Sequence, residues 1–431
     1  MINFRGKRVL VYGMGTSGQA ACRLLHSEGA CVSFYDDEDR FGSFYGCEKN
    51  PQSKNFDMVI VSPGVKVNGN EIISHFLLNK TPVLSELDLG WLFAKGKVIG
   101  ITGTNGKTTT TMLLGSILKE AGLKTFVCGN IGLPLCAVAK QTTRDSFIVC
   151  EVSNFQLELS RRFHADIAAI LNLAPDHLDR HGSFEEYVRV KKKIVAPKKQ
   201  RLIINFDDEL VRTIRGKKNT FFSLFPLNKG IFVKNNAIYC NKTRIMSIAD
   251  IPLVGDKNIQ NVMAAIAIAC SLRIKPKVIR AAVSCFQPPK HRLQMLGKLA
   301  NGALVIDDSK ATNISSVEMA LESLAGQEVV LLLGGLNKGC DFAPFFNKKY
   351  PLARLICFGQ AGEELASLAR CYGYEPEVFA SMKEAAVFAR TAAEEGQLIL
   401  LSPGCASFDE FSSYAVRGEI FKEIMFDKTT L

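Results

Sequence analysis

The chain has 431 residues, more than one ordinary core accommodates, so roughly two to four domains are expected. Hydrophobic residues make up 47% and charged residues 22%, a globular composition that excludes disorder for most of the length. The net charge of +11 leaves two partner classes, nucleic acid and small anions; with no arginine-rich tail and no zinc-finger spacing, anionic substrates are favoured and nucleic acid is not expected.

The 13 cysteines include no C-x-x-C pair and lie in apolar stretches such as FIVC and IAIAC, the usage of buried thiols in a reducing compartment. MINFRGKRVLVYG reads as a strand opening rather than a signal peptide. No run of about 18 apolar residues is present, so a cytoplasmic protein without membrane insertion is expected.

In chain order, the first strand, RVLVYG, runs into GMGTSG, where Gly13, Gly15 and Gly18 fit G-x-G-x-x-G and open the helix QAACRLLHSEG. The next strand, CVSFY, ends at Asp36-Asp37, so the unit has the pattern of a dinucleotide or diphosphate site. A second apolar strand, KVIGITG, leads into GTNGKTTTT. Ile101 stands where a strict G-x-x-x-x-G-K-[ST] pattern needs glycine, yet Gly106-Lys107-Thr108 before a helix keeps the physics of a phosphate cradle.

CEVSNFQLE places Glu151 at a strand end beside that cradle, where a carboxylate can reach a metal. NLAPDHLDRHGSFEEYVRVKKKI (172–194) follows another strand and carries Asp176, His177, Asp179 and Lys191. Zinc ligation is one reading of it, and a hard metal working with phosphate is favoured because no second His/Cys cluster follows. By composition alone the lysine run reads as a solvated helix face. Segment 219–252 is turn-rich and is expected to form a small antiparallel patch. PPKHRLQ (288–294) carries Arg292, which can clamp a phosphate bidentately, and in DDSKATN (307–313) Asp308 ends a strand and can accept from a ribose hydroxyl. GGLNKGCDF (334–342) sets Lys338 in a glycine-rich strand-end loop, and the small residues of LSPGCASFDEF (401–411) let N–H groups approach an anion. Continuous apolar strands bounded by glycine and alternating with helices predict α/β layers in three domains, with boundaries near residue 88 and at Pro288-Pro289. A nicotinamide-dependent oxidoreductase built on GMGTSG would leave the P-loop and DSKATN without a role.

Together GTNGKTT, EVSNFQLE, DHLDRHG, His291-Arg292, DDSKATN, GGLNKG and LSPGCASFDEF resemble the Mur ligases in order and spacing over nearly the whole chain. GNIGLP at 129–134 and DSKATN are most similar to the D-glutamate-adding branch. The resemblance implies three α/β domains: a Rossmann-like UDP-sugar-binding domain (1–88), a central P-loop ATP-binding domain with a parallel sheet (89–288) and a Rossmann-like amino-acid-binding domain (289–431). It implies that ATP phosphorylates the carboxylate of UDP-N-acetylmuramoyl-L-alanine. The amine of D-glutamate then displaces the phosphate, giving an amide in peptidoglycan precursor synthesis. Another Mur ligase or a folylpolyglutamate synthase is the alternative.

Within that resemblance Gly103, Thr104, Asn105, Gly106, Lys107, Thr108 and Thr109 take the ATP phosphates. Asn258, Asn261 and Arg292 take the adenine nucleotide, Asp308 the ribose, and Lys310 stands beside them. Two Mg²⁺ sites are implied on Thr108, Glu151, His177 and Lys191, where Lys191 corresponds to a lysine carbamylated in the family. Lys107, His177, Lys191 and Lys338 form the expected catalytic set. Gly13, Gly15, Thr16, Ser17, Gly18, Asp36, Gly64, Asn130, Ser153 and Gln156 are expected around the UDP substrate. Thr312, Lys338, Ser407, Phe408 and Tyr414 are expected around D-glutamate, with Lys338 pairing its carboxylate. A monomer is expected. The chain departs from the family pattern at Lys257, where histidine is common, and at Asn154, where serine is common. Tyr414 replaces phenylalanine, and Asp36-Asp37-Glu38 lacks an arginine near the uracil.

Overall fold

The computed structural model of the chain describes residues 2–38, 46–196, 200–253, 255–287 and 290–426, and of Asp179 only the backbone. The boundary expected at Pro288-Pro289 lies outside those residues. The chain divides into two compact units, Met1–Pro252 with Gln260–Phe286, and Leu253–Ile259 with Gln287–Leu431.

The first unit holds two sheets. β1 (Arg8–Tyr12), α1 (Thr16–Ser27), β2 (Cys31–Tyr35), β3 (Met58–Val61), α2 (Glu71–Leu78) and β4 (Val83–Ser85) build a sheet of order β2-β1-β3-β4, parallel throughout. MVIV of β3 is buried at every position, as strands covered on both faces must be. Ala20, Ala21, Leu24 and Leu25 give α1 the one apolar stripe that docks on this sheet. α3 (Glu86–Phe93), capped by the Ser85 hydroxyl accepting from Asp88 N–H, leads out, and residue 88 falls inside this helix. Its buried Asp88 accepts hydrogen bonds from the Ser160 hydroxyl and from the Arg162 and Phe163 amides.

The second sheet is built on β5 (Lys97–Thr102), α4 (Lys107–Glu120), β6 (Thr125–Gly129), α5 (Leu135–Val138), β7 (Phe147–Glu151), α6 (Asn154–Glu158) and β8 (Ile167–Ile170). It continues through α7 (Leu178–His181), α8 (Phe184–Lys192), β9 (Arg201–Asn205), β10 (Lys218–Ser223), β11 (Ile231–Lys234), β12 (Ala237–Cys240) and β13 (Thr243–Ser247). Its nine strands run β13-β12-β11-β10-β9-β8-β5-β7-β6. Segment 219–252 is antiparallel only over β11-β12-β13. β10 pairs parallel with both β9 and β11, so the expected patch is the edge of the main sheet. Phe222 and Ile231, both buried, continue the core across that junction. α9 (Asp256–Ser271) and α10 (Pro276–Ser284) follow.

The second unit holds β14 (Gln294–Lys298), β15 (Leu304–Asp307), α11 (Ile314–Ser323), β16 (Val329–Gly334), α12 (Ala343–Asn347) and β17 (Leu352–Phe358). α13 (Gly362–Cys371), β18 (Glu377–Phe379), α14 (Met382–Ala392), β19 (Leu398–Gly404) and α15 (Tyr414–Phe426) complete it. The sheet order is β14-β15-β19-β16-β17-β18, with β14 antiparallel and the other pairs parallel. β16 and β19 are buried at every position. Each fully buried Leu, Ile or Val there contributes about 1.5–3 kcal/mol, which holds the three central strand ends, β15, β19 and β16, in fixed register. Among the described residues no helix is long and apolar enough to cross a membrane.

Candidate active site

In the first unit the turn between β5 and α4 is the expected phosphate cradle. Gly106 has φ 82°, and a Cβ there would overlap the Asn261 side chain, so glycine is required twice over. The turn is pinned from below. Thr104 N–H donates to Asn172 O at 3.0 Å and Asn105 N–H to Asn172 Oδ1 at 2.8 Å. The Thr104 hydroxyl lies 2.9 Å from the Tyr187 hydroxyl. Lys107 Nζ donates to Gly103 O at 2.9 Å and Thr104 O at 2.7 Å, folding back over the turn. Thr108 and Thr109 are buried in the first turn of α4, at the helix end where anions are favoured.

Lys191 overturns the solvated-face reading of its lysine run. It is 1% exposed, its Nζ donates to Gly103 O at 3.0 Å, and it lies 4.8 Å from the centre of the Tyr187 ring. Burial, and then the Lys107 charge, push its amine well below the ordinary lysine value of 10.5, against the pull of Asp176 and Glu151. Lys192 is exposed, so the solvated-face reading holds for it. Glu151 is 2% exposed; its Oε1 accepts from Asn130 Nδ2 at 2.9 Å, while Oε2 is buried without a donor among the described residues. His177 stands in the left-handed region at φ 52°, with a side chain 43% exposed and Nε2 3.6 Å from Asp176 Oδ2.

No group of three or more His, Cys, Asp or Glu among the described residues is placed to hold a metal alone. The donor set nonetheless suits a hard cation. Glu151 offers a bare buried carboxylate oxygen and Thr108 a hydroxyl, the oxygen chemistry Mg²⁺ takes.

The first glycine turn opens on a cleft of about 550 Å³. Gly13, Gly15, Thr16, Ser17, Asp36 and Gly64 line it from the first sheet, and Asn130 and Gln156 from the second. Gly18 does not line it: a Cβ there would overlap the Gly13 carbonyl, so this glycine packs the helix on the turn. Ser153 does not line it either. It caps α6 in a reciprocal box, accepting from Gln156 N–H while Gln156 Oε1 accepts from Ser153 N–H. Asp36 accepts from Met14 N–H at 2.5 Å and Glu38 N–H at 3.0 Å, fixing the acid at the cleft edge. Among the described residues no lysine or arginine lines the cleft.

In the second unit the expected residues gather at the C-terminal ends of β15, β19 and β16, the edge where open parallel sheets bind ligands. Asp308 is buried, and its carboxylate accepts from Leu293 N–H at 3.1 Å and from the Ser402 hydroxyl at 2.8 Å. Burial pushes its carboxyl up to about 7, against the opposing charge of Arg292. Arg292 Nε is buried without a hydrogen-bond partner among the described residues. Lys310 lies 5.7 Å from the Tyr414 ring, and Lys338 5.1 Å from the ring of Phe408, itself 63% exposed. Ser407 is buried and Thr312 exposed. Of the two helix asparagines, Asn261 packs on the turn at Gly106, while Asn258 is half-buried and groups with the second unit.

Several positioning residues escape the sequence. Tyr187 lies one helical turn before Lys191, a spacing of four that could have flagged it. Arg180 donates to Glu158 Oε2 at 2.6 Å and to Val65 O at 2.7 Å, joining the α7 segment to the loop bordering the cleft. His181, lowered below its ordinary 6.5 by burial, lies 2.5 Å from Asn154 Nδ2, which gives the departure at Asn154 a partner.

Comparison with known proteins gives a consistent relationship. Residues 101–269 match the Mur ligase middle domain and residues 291–405 the glutamate ligase domain of the Mur ligases. The UDP-N-acetylmuramoylalanine–D-glutamate ligase of Thermoanaerobacter sp. (strain X514) is 35% identical over 98% of both chains. Those of Koribacter versatilis and Geobacillus kaustophilus are 36% identical, over 98% and 97% of both chains. Among solved structures, the UDP-N-acetylmuramate-alanine ligase of Thermotoga maritima superposes with a TM-score of 0.63 at 17% identity, over 97% of this chain and 98% of that one. A pseudomurein peptide ligase of Methanothermus fervidus gives 0.62 at 20%, over 97% and 100%.

Proposed function

The chain belongs to the Mur ligase family, and we propose that it joins D-glutamate to UDP-N-acetylmuramoyl-L-alanine at the cost of ATP, through an acyl phosphate, in peptidoglycan precursor synthesis. The observation that carries the reading is Lys191, a buried amine on a carbonyl of the phosphate-binding turn, within electrostatic reach of Lys107, Glu151 and Asp176.

The amides at the start of α4 and the Lys107 ammonium hold the ATP phosphates. The substrate carboxylate oxygen attacks the terminal phosphorus, the bond to the bridging oxygen breaks, and ADP leaves. The D-glutamate amine adds to the acyl carbon, loses a proton and expels phosphate. Both steps bring anions together, so cationic and N–H groups carry the catalysis. Thr108, Glu151, His177 and a modified Lys191 would hold Mg²⁺, which when bound neutralises phosphate charge. Carbamylation suits Lys191, because only a neutral amine adds to CO₂, releasing a proton and leaving a carboxylate-like anion. A lowered lysine pKa supplies that neutral amine.

The UDP portion takes the cleft at Gly13–Ser17, with Asp36 toward the sugar or base. Adenine and ribose take Asn258, Asn261, Arg292, Asp308 and Lys310. D-glutamate takes Thr312, Lys338, Ser407, Phe408 and Tyr414, with Lys338 on its carboxylate. The enzyme works as a cytoplasmic monomer. ADP release in the presence of UDP-N-acetylmuramoyl-L-alanine, measured with D-glutamate, L-glutamate, L-alanine and meso-diaminopimelate, tests the reading. D-glutamate is expected to exceed the others by ~10²-fold or more. Equal release with another amino acid rejects this assignment in favour of a neighbouring branch.

A further inference from the structure

Arg417 lies in α15, outside every motif considered above, and is 0% exposed. Its Nε donates to Ser309 Oγ at 3.0 Å and its Nη2 to Ser309 O at 2.9 Å, in the loop after β15. Nη2 also donates to Cys405 O at 3.2 Å and Nη1 to Ala406 O at 3.3 Å, in the loop after β19. The third loop closes on the same group. A Cβ on Gly335 would lie 3.1 Å from Nη1, and Leu336 and Ala406 exchange main-chain hydrogen bonds at 2.9 and 3.0 Å.

Buried charge is costly, and an apolar side chain of similar volume would serve packing as well or better. These bonds go to carbonyls and a hydroxyl rather than to a carboxylate. What the planar guanidinium adds is a rigid fork that fixes the separation of the carbonyls it binds. Those carbonyls belong to the loops that carry Asp308, Lys310 and Thr312 on one side and Ser407 and Phe408 on the other. Ser309 extends the link, since its hydroxyl donates to Tyr414 O at 2.9 Å.

We propose that Arg417 is a positioning residue that locks the nucleotide loop after β15 to the amino-acid loop after β19, so that D-glutamate binding depends on bonds made in the nucleotide loop. The inference rests on the ligase reading above. It goes beyond it by assigning a coupling role to a residue that touches neither ligand.

The experiment is steady-state kinetics of the full chain, with ADP release varied against each substrate. Wild type is measured first; no D-glutamate-dependent release would overturn the ligase reading, and this inference with it. With wild type active, Arg417→Lys keeps the charge but loses the fork. It is expected to raise KM for D-glutamate about ten-fold, with KM for UDP-N-acetylmuramoyl-L-alanine changed less than about two-fold. Ser309→Ala, which removes the acceptor for Arg417 Nε and the donor to Tyr414 O without changing the loop after β19, is expected to raise KM for D-glutamate severalfold. It also decides the matter if Arg417→Lys does not fold. A fall in thermal midpoint or in kcat with KM for D-glutamate unchanged in both variants would assign Arg417 to packing and overturn the inference.

Discussion

Two glycine turns in the first unit begin alike and end differently. Each follows a buried parallel strand, and each opens a helix, α1 at Gly13–Gly18 and α4 at Gly103–Gly106. Around the first, the cleft is lined by Asp36, Asp37 and Glu38 and, among the described residues, by no lysine or arginine. Around the second, Lys107 and Lys191 both bond the Gly103 carbonyl. Main-chain N–H groups and a helix end suffice where a diphosphate is only held. Where a phosphate is moved and negative charge grows during the reaction, added charge is placed: Lys107 as a cation and Lys191, on the proposed reading, as a carbamate that would hold Mg²⁺. The overall charge of +11 therefore says little about either turn, because the residues that matter are placed locally.

If that distinction is right, removing charge at the second turn is the most damaging change. Lys191→Ala is expected to lower kcat by ~10³-fold, with partial recovery on adding a short carboxylic acid such as acetate, which returns the anion a carbamate would provide. Full activity in the variant would reduce Lys191 to a packing residue and leave the contrast resting on Lys107 alone. Next in size, Lys107→Met is expected to cost ~10²-fold in kcat, with KM for the UDP substrate unchanged. A variant defective only in UDP-substrate binding would erase the difference between the turns.

The first turn should respond through shape instead. A Cβ on Gly15 meets nothing within 4 Å, whereas one on Gly18 overlaps the Gly13 carbonyl. Gly15→Ala is therefore expected to keep its thermal midpoint and raise KM for the UDP substrate about ten-fold, by filling space the diphosphate needs. Gly18→Ala is expected to lower the midpoint by several degrees, on the order of 1–3 kcal/mol of packing. Thermal melts beside kinetics separate the two, and matching behaviour would mean that ligand approach and helix packing are not divided between these glycines.

Much of this was legible in the sequence, for identifiable reasons. Apolar runs bounded by glycine announced parallel strands, because a strand buried on both faces has nowhere to put polar residues. The two turns were legible because backbone approach to phosphate demands glycine at fixed offsets. Lys191 was not legible from composition, since three consecutive lysines look the same whichever way one of them points; only the resemblance singled it out. The order of β10 in the sheet was hidden because turn-rich segments specify reversals better than partners. Asn172, Arg180 and Arg417 were missed because each acts by bonding distant main-chain carbonyls or amides, and such partners leave no residue-type signature.

The smallest expected effect carries the comparison to a second pair of acids. Asp36 and Asp308 both follow a strand and are both read as sugar contacts, yet Asp36 is half-buried and Asp308 buried. Asp308 is raised from 3.8 to about 7 by burial, so the folded state binds its proton across a range in which the unfolded chain has released it. Stability from this group is complete below about pH 4 and is lost as pH rises through about 7. Asp308→Asn keeps an acceptor for Leu293 N–H while removing the titration; the Ser402 hydroxyl can turn to accept from the new amide. The variant is expected to gain stability relative to wild type between pH 5 and pH 7.5, on the order of 1 kcal/mol, in urea unfolding followed at both pH values. A constant difference between the two proteins across that window would show that Asp308 stays ionised despite its burial, held by Arg292.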